Sequence, residues 1–253
     1  MTPVATWPTF TTTLRSRQEV ADQTMAFQFE KPANWTFKAG QFVDITLISP
    51  PQTDTEGNTR GFSIASAPHE DFLMVTTRMR DTAFKRVLRT LPLDTQVKVE
   101  GPFGNLTLHN NVARPAVLLA GGIGITPFRS IVFWAAKEKI KHRIFLFYSN
   151  RRPEDAAFLD ELQSLERENP NYKCIPTMTE MEKSNRPWQG ELGLIGYELI
   201  SKHLKAVASP ALYTAGPIYY IAGPPGMVGG LRTMLTNSGV DDDDIRTEEF
   251  TGY

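Results

Sequence analysis

Two stretches of this 253-residue sequence hold side chains whose types and spacing suit chemistry. The first is Arg60, Gly61, Phe62, Ser63, Ile64, Ala65, Ser66, where an arginine, an aromatic and two serines stand together after a long loop. A guanidinium matches a phosphate as a paired donor, and an aromatic face suits a flat ring. The second is Gly121, Gly122, Ile123, Gly124, Ile125, Thr126, Pro127. Backbone N–H groups in such a turn, clear of side chains and aided by a helix dipole, suit a pyrophosphate. The same turn serves as a plain strand-to-helix connection with no ligand, because Pro127 replaces the last glycine of the dinucleotide fingerprint.

The surrounding patterns say what must hold these stretches in place. Residues 116–120 are an unbroken apolar run, as a parallel strand buried on both faces requires. After the glycines, Thr126 reads as a helix N-cap and Pro127 as the first helical residue, with Phe128, Ile131, Val132 and Ala135 facing inward. Strands are then expected at 144–148, 172–175, 218–222 and 245–250, and a helix over 153–167 with Phe158, Leu159, Leu162 and Leu165 inward. Gly223, Pro224, Pro225 and Gly226 lead into a last helix carrying Met227, Leu231 and Leu235, where Met227 reads first as a core residue. This alternation predicts a doubly wound α/β parallel sheet whose ligand lies at the carboxyl ends of the strands, where both glycine turns fall. Before residue 101 the apolar period is two: Met25, Phe27 and Phe29, then Val43, Ile45 and Leu47, then Val97 and Val99. Such short alternating strands predict an antiparallel β-barrel, interrupted by a helix over 83–91 capped by Asp81 or Thr82. Residues 110–115 read as the linker, dividing the chain into domains 1–112 and 113–253.

The heptapeptide at 60–66 resembles the flavin motif of the ferredoxin-NADP reductase family, with Phe62 in place of the family's tyrosine. Gly40, Gln41 and Phe42 ahead of it, and Gly101, Pro102, Phe103 and Gly104 behind it, stand in the family's order, so the resemblance covers nearly the whole chain. It implies an FAD-binding barrel followed by an NAD(P)-binding domain. By the same resemblance Arg60 binds the flavin pyrophosphate, Phe62 lies against the isoalloxazine ring and Ser63 sits near its N5. Arg78, Ala83, Phe84 and Lys85 complete that cradle, and Glu249 relays a proton near Ser63 while Phe250 or Tyr253 covers the ring. The nucleotide side draws on Gly122, Gly124, Thr126, Gly223, Pro224 and Met227, with Ser63, Thr126 and Glu249 as the candidate catalytic set. Ala222 departs from the family, which has a cysteine there beside the nicotinamide. Ser149, Asn150, Arg151 and Arg152 follow the second parallel strand, where a doubly wound domain meets the adenosine ribose. With no acid among them, they lean toward NADPH over NADH, the alternative being that the arginines simply pair with Glu154 and Asp155.

Composition narrows the field. A net charge of -1 gives no basic field of the kind that nucleic acid demands, and no apolar run approaches a membrane span, so a cytoplasmic protein is expected. One cysteine, Cys174, excludes an internal disulfide and a four-cysteine iron–sulfur cluster within this sequence, and the four histidines show no metal-binding spacing. The favoured expectation is an FAD-dependent NAD(P)H reductase that passes electrons to a ferredoxin, a flavodoxin or an oxygenase component. The alternatives are a reductase of free flavin and a non-enzymatic flavin-binding subunit or sensor.

Overall fold

The computed structural model describes residues 7–205 and 216–251, which leaves Tyr253 outside the described residues. Its first half holds six antiparallel strands: β1 (Thr9–Ala21), β2 (Thr24–Glu30), β3 (Phe42–Leu47), β4 (Thr59–Ser63), β5 (Phe72–Arg78) and β6 (Gln96–Phe103). They run in the order β4-β3-β6-β1-β2-β5. The two ends of that row meet through a bridge between Ile64 and Val75, which curls the sheet into a barrel. Leu14, Phe27, Phe29, Val43, Ile45, Leu73, Val75, Val97 and Val99 fill it, most of them at the period of two that one buried face imposes. Helix α1 (Ala83–Thr90) sits between β5 and β6 and turns Phe84, Val87 and Leu88 inward. Thr82 is its N-cap, accepting the Lys85 N–H at 3.3 Å, a contact worth about 1 kcal/mol.

The second half is an all-parallel sheet of β7 (Ala116–Gly121), β8 (Ile144–Asn150), β9 (Tyr172–Met178), β10 (Glu191–Leu192), β11 (Ile218–Gly223) and β12 (Ile245–Glu249). The strand order β10-β9-β8-β7-β11-β12 reverses between β7 and β11, and helices α2 (Ile125–Lys137), α3 (Leu159–Ser164), α4 (Tyr197–Lys205) and α5 (Pro225–Asn237) connect or flank the strands. Every residue of β7 and β11 is buried, which explains their continuous apolar character.

Two local expectations are corrected. A 3-10 turn at Gly122–Gly124 precedes α2, so the helix starts at Ile125 and Thr126 lies within its first turn. The Thr126 hydroxyl donates to the Ile123 carbonyl at 3.1 Å and caps nothing. Residues 153–167 do not form one helix. Phe158 adopts a left-handed backbone (φ 62°) that no helix interior accommodates, and it splits the segment into a 3-10 turn at Pro153–Asp155, helix α3, and a second 3-10 turn at Leu165–Arg167.

The halves share packing. Ala26, Ala39, Ala65, Met74 and Leu106 belong to one apolar cluster with Phe128, Ile131 and Leu146 of the parallel-sheet half. Gly40 marks how close the approach is: its φ is +97°, and a Cβ there would lie 2.2 Å from the Leu106 carbonyl oxygen and 3.1 Å from Ile131 Cδ1.

Candidate functional site at the junction of the two sheets

Strand β4 ends at the seam of the barrel, and the motif residues divide between its two ends. Arg60 and Phe62 share one face, where the guanidinium lies 5.4 Å over the Phe84 ring and the two phenyl rings sit 5.8 Å apart. Phe62 is only 9% exposed, so it offers a ligand a narrow strip of ring rather than a free face. Arg60 is wrapped by its own loop. Its Nη1 donates to the carbonyls of Glu56, Gly57 and Thr59, and its Nη2 pairs with Asp54 at 3.1 Å and Glu56 at 2.8 Å. Asp54 also accepts the Ala83 N–H at the start of α1, at 3.1 Å. A carboxylate therefore bridges the guanidinium and the helix terminus. Lys85 stands beside this spot. Burial pushes its ammonium down, Arg80 and Arg60 push it further, and Glu56 partly opposes them.

The glycine turns at the ends of β7 and β11 lie back to back. A Cβ on Gly223 would come within 3.2–3.3 Å of the Gly121 backbone, and one on Gly124 within 2.1 Å of the Ala222 carbonyl oxygen. Gly122, at φ +52°, faces Arg78, whose guanidinium lies 3.5 Å from where its Cβ would be. Arg78 comes from the barrel and also donates to the Asp155 carbonyl at 3.3 Å, so a cation from one half overlooks the turn of the other. The two turns are thus packed on each other at the switch point of a doubly wound sheet, and Gly122 alone leaves room, toward Arg78. Pro224 precedes α5 and accepts the Met227 N–H, while the Met227 thioether sits where a side chain on Gly121 would be.

The halves also meet at Ser63 and Glu248, whose Oε1 accepts the serine hydroxyl at 3.1 Å. Burial pushes the Glu248 carboxyl up, partly offset by that hydrogen bond. The expectation of Glu249 beside Ser63 is corrected by strand parity. Glu248 lies on the face of β12 that also carries Arg246, which reaches the Thr107 carbonyl, and Glu249 is exposed on the other face. Ala222 pairs in register with Ala120 on one side and Glu248 on the other, and its methyl is fully buried. The Phe250 N–H is fastened to the Gly223 carbonyl at 3.0 Å. The structure thus brings together Ser63, Arg78, Gly122, Gly124, Gly223, Glu248 and Phe250. It leaves Thr126 buried beneath the turn at 2% exposure and Glu249 facing away.

Near the end of β8, Ser149 pairs in register with Gly121, placing residues 149–152 beside the glycine turn. Arg152 is committed: it holds the buried Asp155 through Nε at 2.9 Å and Nη2 at 3.1 Å and also pairs with Asp22. Burial pushes the Asp155 carboxyl up, but Arg152, Arg151 and Arg78 together hold it below its usual range. Arg151 keeps one longer contact, 3.4 Å to Asp155, and its side chain is 56% exposed. Two residues of this region, Asp54 and Arg129, carry weight that sequence reasoning missed. For Asp54 the available sign was the acidic, glycine-containing turn ahead of Arg60, whereas nothing in the sequence sets Arg129 apart from an ordinary helix arginine.

Residues 118–233 match the model of the oxidoreductase NAD-binding domain family. The glycine betaine monooxygenase reductase subunit of Chromohalobacter salexigens is 24% identical over 237 residues, covering 92% of this chain and 61% of the relative. The propane 2-monooxygenase reductase component of Mycolicibacterium smegmatis is 25% identical over 236 residues, covering 87% and 61%. The chain thus spans about three-fifths of the length of these relatives. In fold it is similar to a ferredoxin NADP+ reductase from Neisseria gonorrhoeae solved with bound FAD and NADP, with a TM-score of 0.75 at 21% identity over 95% of this chain and 98% of the other. The Amycolatopsis cytochrome P450 reductase gives a TM-score of 0.77 at 21% identity, over 98% and 72%. The six-stranded antiparallel barrel followed by a six-stranded parallel sheet is thus similar in fold to these reductases, and the parallel-sheet half carries the match to the oxidoreductase NAD-binding domain.

Proposed function

We propose that this protein is an FAD-dependent reductase that takes a hydride from NADPH or NADH and passes electrons to a separate redox carrier, a ferredoxin, a flavodoxin or an oxygenase component. The observation that carries the reading is the Ser63–Glu248 contact, which joins the end of the motif strand to the carboxyl edge of the parallel sheet beside both glycine turns. The residues fit the two cofactors. Gly121, Gly124 and Gly223 let the two turns and Met227 pack together, Gly122 at φ +52° leaves room toward Arg78 for one pyrophosphate, and the cations Arg60, Arg80 and Lys85 suit the second. A bound flavin supplies a ring that accepts a hydride and releases electrons singly.

The chain's own residues position, shield and move protons. Ser63, 3% exposed, presents a hydroxyl whose orientation is fixed by Glu248. Glu248, its affinity for a proton raised by burial, accepts that hydroxyl at Oε1 and is placed to exchange a proton beside it. Arg78 and the N–H groups of residues 122–124 would hold phosphate on the side of the parallel sheet that carries this pair, which is the positioning a two-cofactor reaction requires. Cys174 is buried, with its thiol pushed up to about 12, and is the sole cysteine, so the next electron carrier lies outside these 253 residues.

The test is direct. The purified protein is expected to be yellow, and Arg60→Ala to weaken flavin retention by about tenfold or more, one charge-assisted contact. Ser63→Ala is expected to keep the flavin and to slow its reduction by NAD(P)H about tenfold. A colourless protein that takes up no added flavin refutes the proposal.

A further inference from the structure

Arg129 and Ser130 leave the second turn of α2 and reach the backbone just past the motif strand. Arg129 Nη1 donates to the Ala65 carbonyl at 2.8 Å and to Glu70 Oε2 at 3.0 Å. Its Nη2 donates to Glu70 Oε1 at 3.3 Å and to Glu161 Oε2 at 3.0 Å. The next residue does the same: Ser130 Oγ donates to the Ser66 carbonyl at 2.7 Å. Both side chains are buried, and the guanidinium lies 4.3 Å from the Phe133 ring centroid and 5.1 Å from that of Phe158.

Within the barrel this segment has few ties of its own. The Ile64 N–H reaches the Gln41 carbonyl, the Ala65 N–H reaches the Met74 carbonyl, and Ser66 Oγ accepts the Met74 N–H. The next two carbonyls, those of Ala65 and Ser66, draw their donors from α2. Five to seven residues earlier, roughly 8–11 Å along the axis, the 3-10 turn that leads into this helix holds Gly122–Gly124. A buried arginine between two acids contributes little net stability, because desolvation offsets the attraction, whereas it does fix a geometry.

We propose that Arg129 and Ser130 are positioning residues that set the register between the strand of the flavin motif and the helix of the nucleotide cradle, and so the approach of the two cofactors. This rests on the two-cofactor reading above. With both side chains in place, a displacement of the nucleotide turn carries Ser63 along with it. Without them, each half still binds its own cofactor, and the reacting atoms lose alignment, to which transfer rates are steeply sensitive.

The experiment compares full-length, flavin-loaded wild type with Arg129→Met, Arg129→Lys and Ser130→Ala. Hydrogen–deuterium exchange is followed at the amides of residues 63–67, and stopped-flow reduction by NADPH or NADH is measured with each nucleotide's Kd. Arg129→Met and Ser130→Ala are expected to speed exchange at 63–67 and to lower the limiting reduction rate about tenfold or more, with flavin content retained and Kd changed less than about threefold. Arg129→Lys, which still reaches Glu70 and one carbonyl, is expected to recover most of the rate. Unchanged exchange at 63–67, or a rate loss that merely follows lost flavin, overturns the proposal. A wild type that binds flavin but accepts no hydride refutes the reductase reading, and the hydride role with it, while altered exchange in the variants still marks the tether as real.

Discussion

Gly121 and Gly124 occupy the same turn and have ordinary backbone conformations, extended at Gly121 and right-handed at Gly124. Alanine is therefore tolerated at either position as far as φ and ψ are concerned, and the cost of each substitution is steric. At Gly121 the added methyl meets the Met227 Sδ at 2.2 Å, the mobile end of a long side chain. At Gly124 it meets backbone: the Ala222 oxygen at 2.1 Å, the Ala222 carbon at 2.4 Å and the Gly223 nitrogen at 2.7 Å. Ordinary contact begins at 3.4 Å, so the end of β11 must retreat by about 1.3 Å. Overpacking of this kind costs roughly 1–3 kcal/mol. Gly124→Ala belongs at the upper end of that range and Gly121→Ala near the lower. A shift of about 1 Å at the cradle also costs about a hundredfold in transfer rate. Urea denaturation and stopped-flow reduction of both variants, alone and combined with Met227→Ala, are the assays. Met227→Ala is expected to relieve Gly121→Ala and to leave Gly124→Ala unrelieved, since only the first clash is with that side chain. Gly124→Ala with wild-type midpoint and rate, or rescued by Met227→Ala, refutes the reasoning.

Three further outcomes follow from the charges. The folded-state affinity of Glu248 for its proton is raised, so its contribution to stability is full below about pH 4.5 and is lost as pH rises through the raised value; Glu248→Gln is expected to gain stability over wild type as pH increases, read from melting temperatures across pH 4–9. His109 and His142 pack edge to face at 4.8 Å, both pushed down by burial, so their contribution is present above about pH 6.5 and is lost as pH falls below it; His142→Phe is expected to flatten the decline in melting temperature on the acid side. Arg151→Ala is expected to raise KM for NADPH about tenfold and leave KM for NADH unchanged, whereas Arg152→Ala frees the buried Asp155 and impairs both, as steady-state kinetics will report.

The parallel sheet was legible because its strands are buried on both faces and so read as apolar runs, as at residues 116–120 and 218–222. Strand β1 was hidden. Its thirteen residues run Thr-Phe-Thr-Thr-Thr-Leu-Arg-Ser-Arg-Gln-Glu-Val-Ala, only Thr12 and Leu14 are buried, and its place between β6 and β2 is set by neighbours rather than by its own pattern. At the site, glycine spacing marked both strand-to-helix turns, yet Thr126 misled because a cap residue and a residue in a helix's first turn look alike without coordinates. Choosing Glu248 over Glu249 needed the parity of β12 against the barrel, and adjacent identical residues carry no such information. The pairing of Arg152 with Asp155 was the alternative that the sequence offered, whereas its second partner, Asp22, was invisible because it lies 130 positions away.

The barrel's seam bears on how freely these halves can be recombined. One bridge closes β4 onto β5, and the carbonyls just beyond the motif strand are satisfied by a helix that belongs to the other sheet. Ala65 and Met74 also pack into a cluster with Phe128. A chimera that grafts a foreign nucleotide domain onto this barrel therefore leaves the seam open, with two buried carbonyls stranded, unless the graft brings an arginine–serine pair at the same turn of its first helix. Modularity in this chain stops at the level of the cofactor sites and does not extend to the folding units, so its pieces are inherited together or rebuilt together.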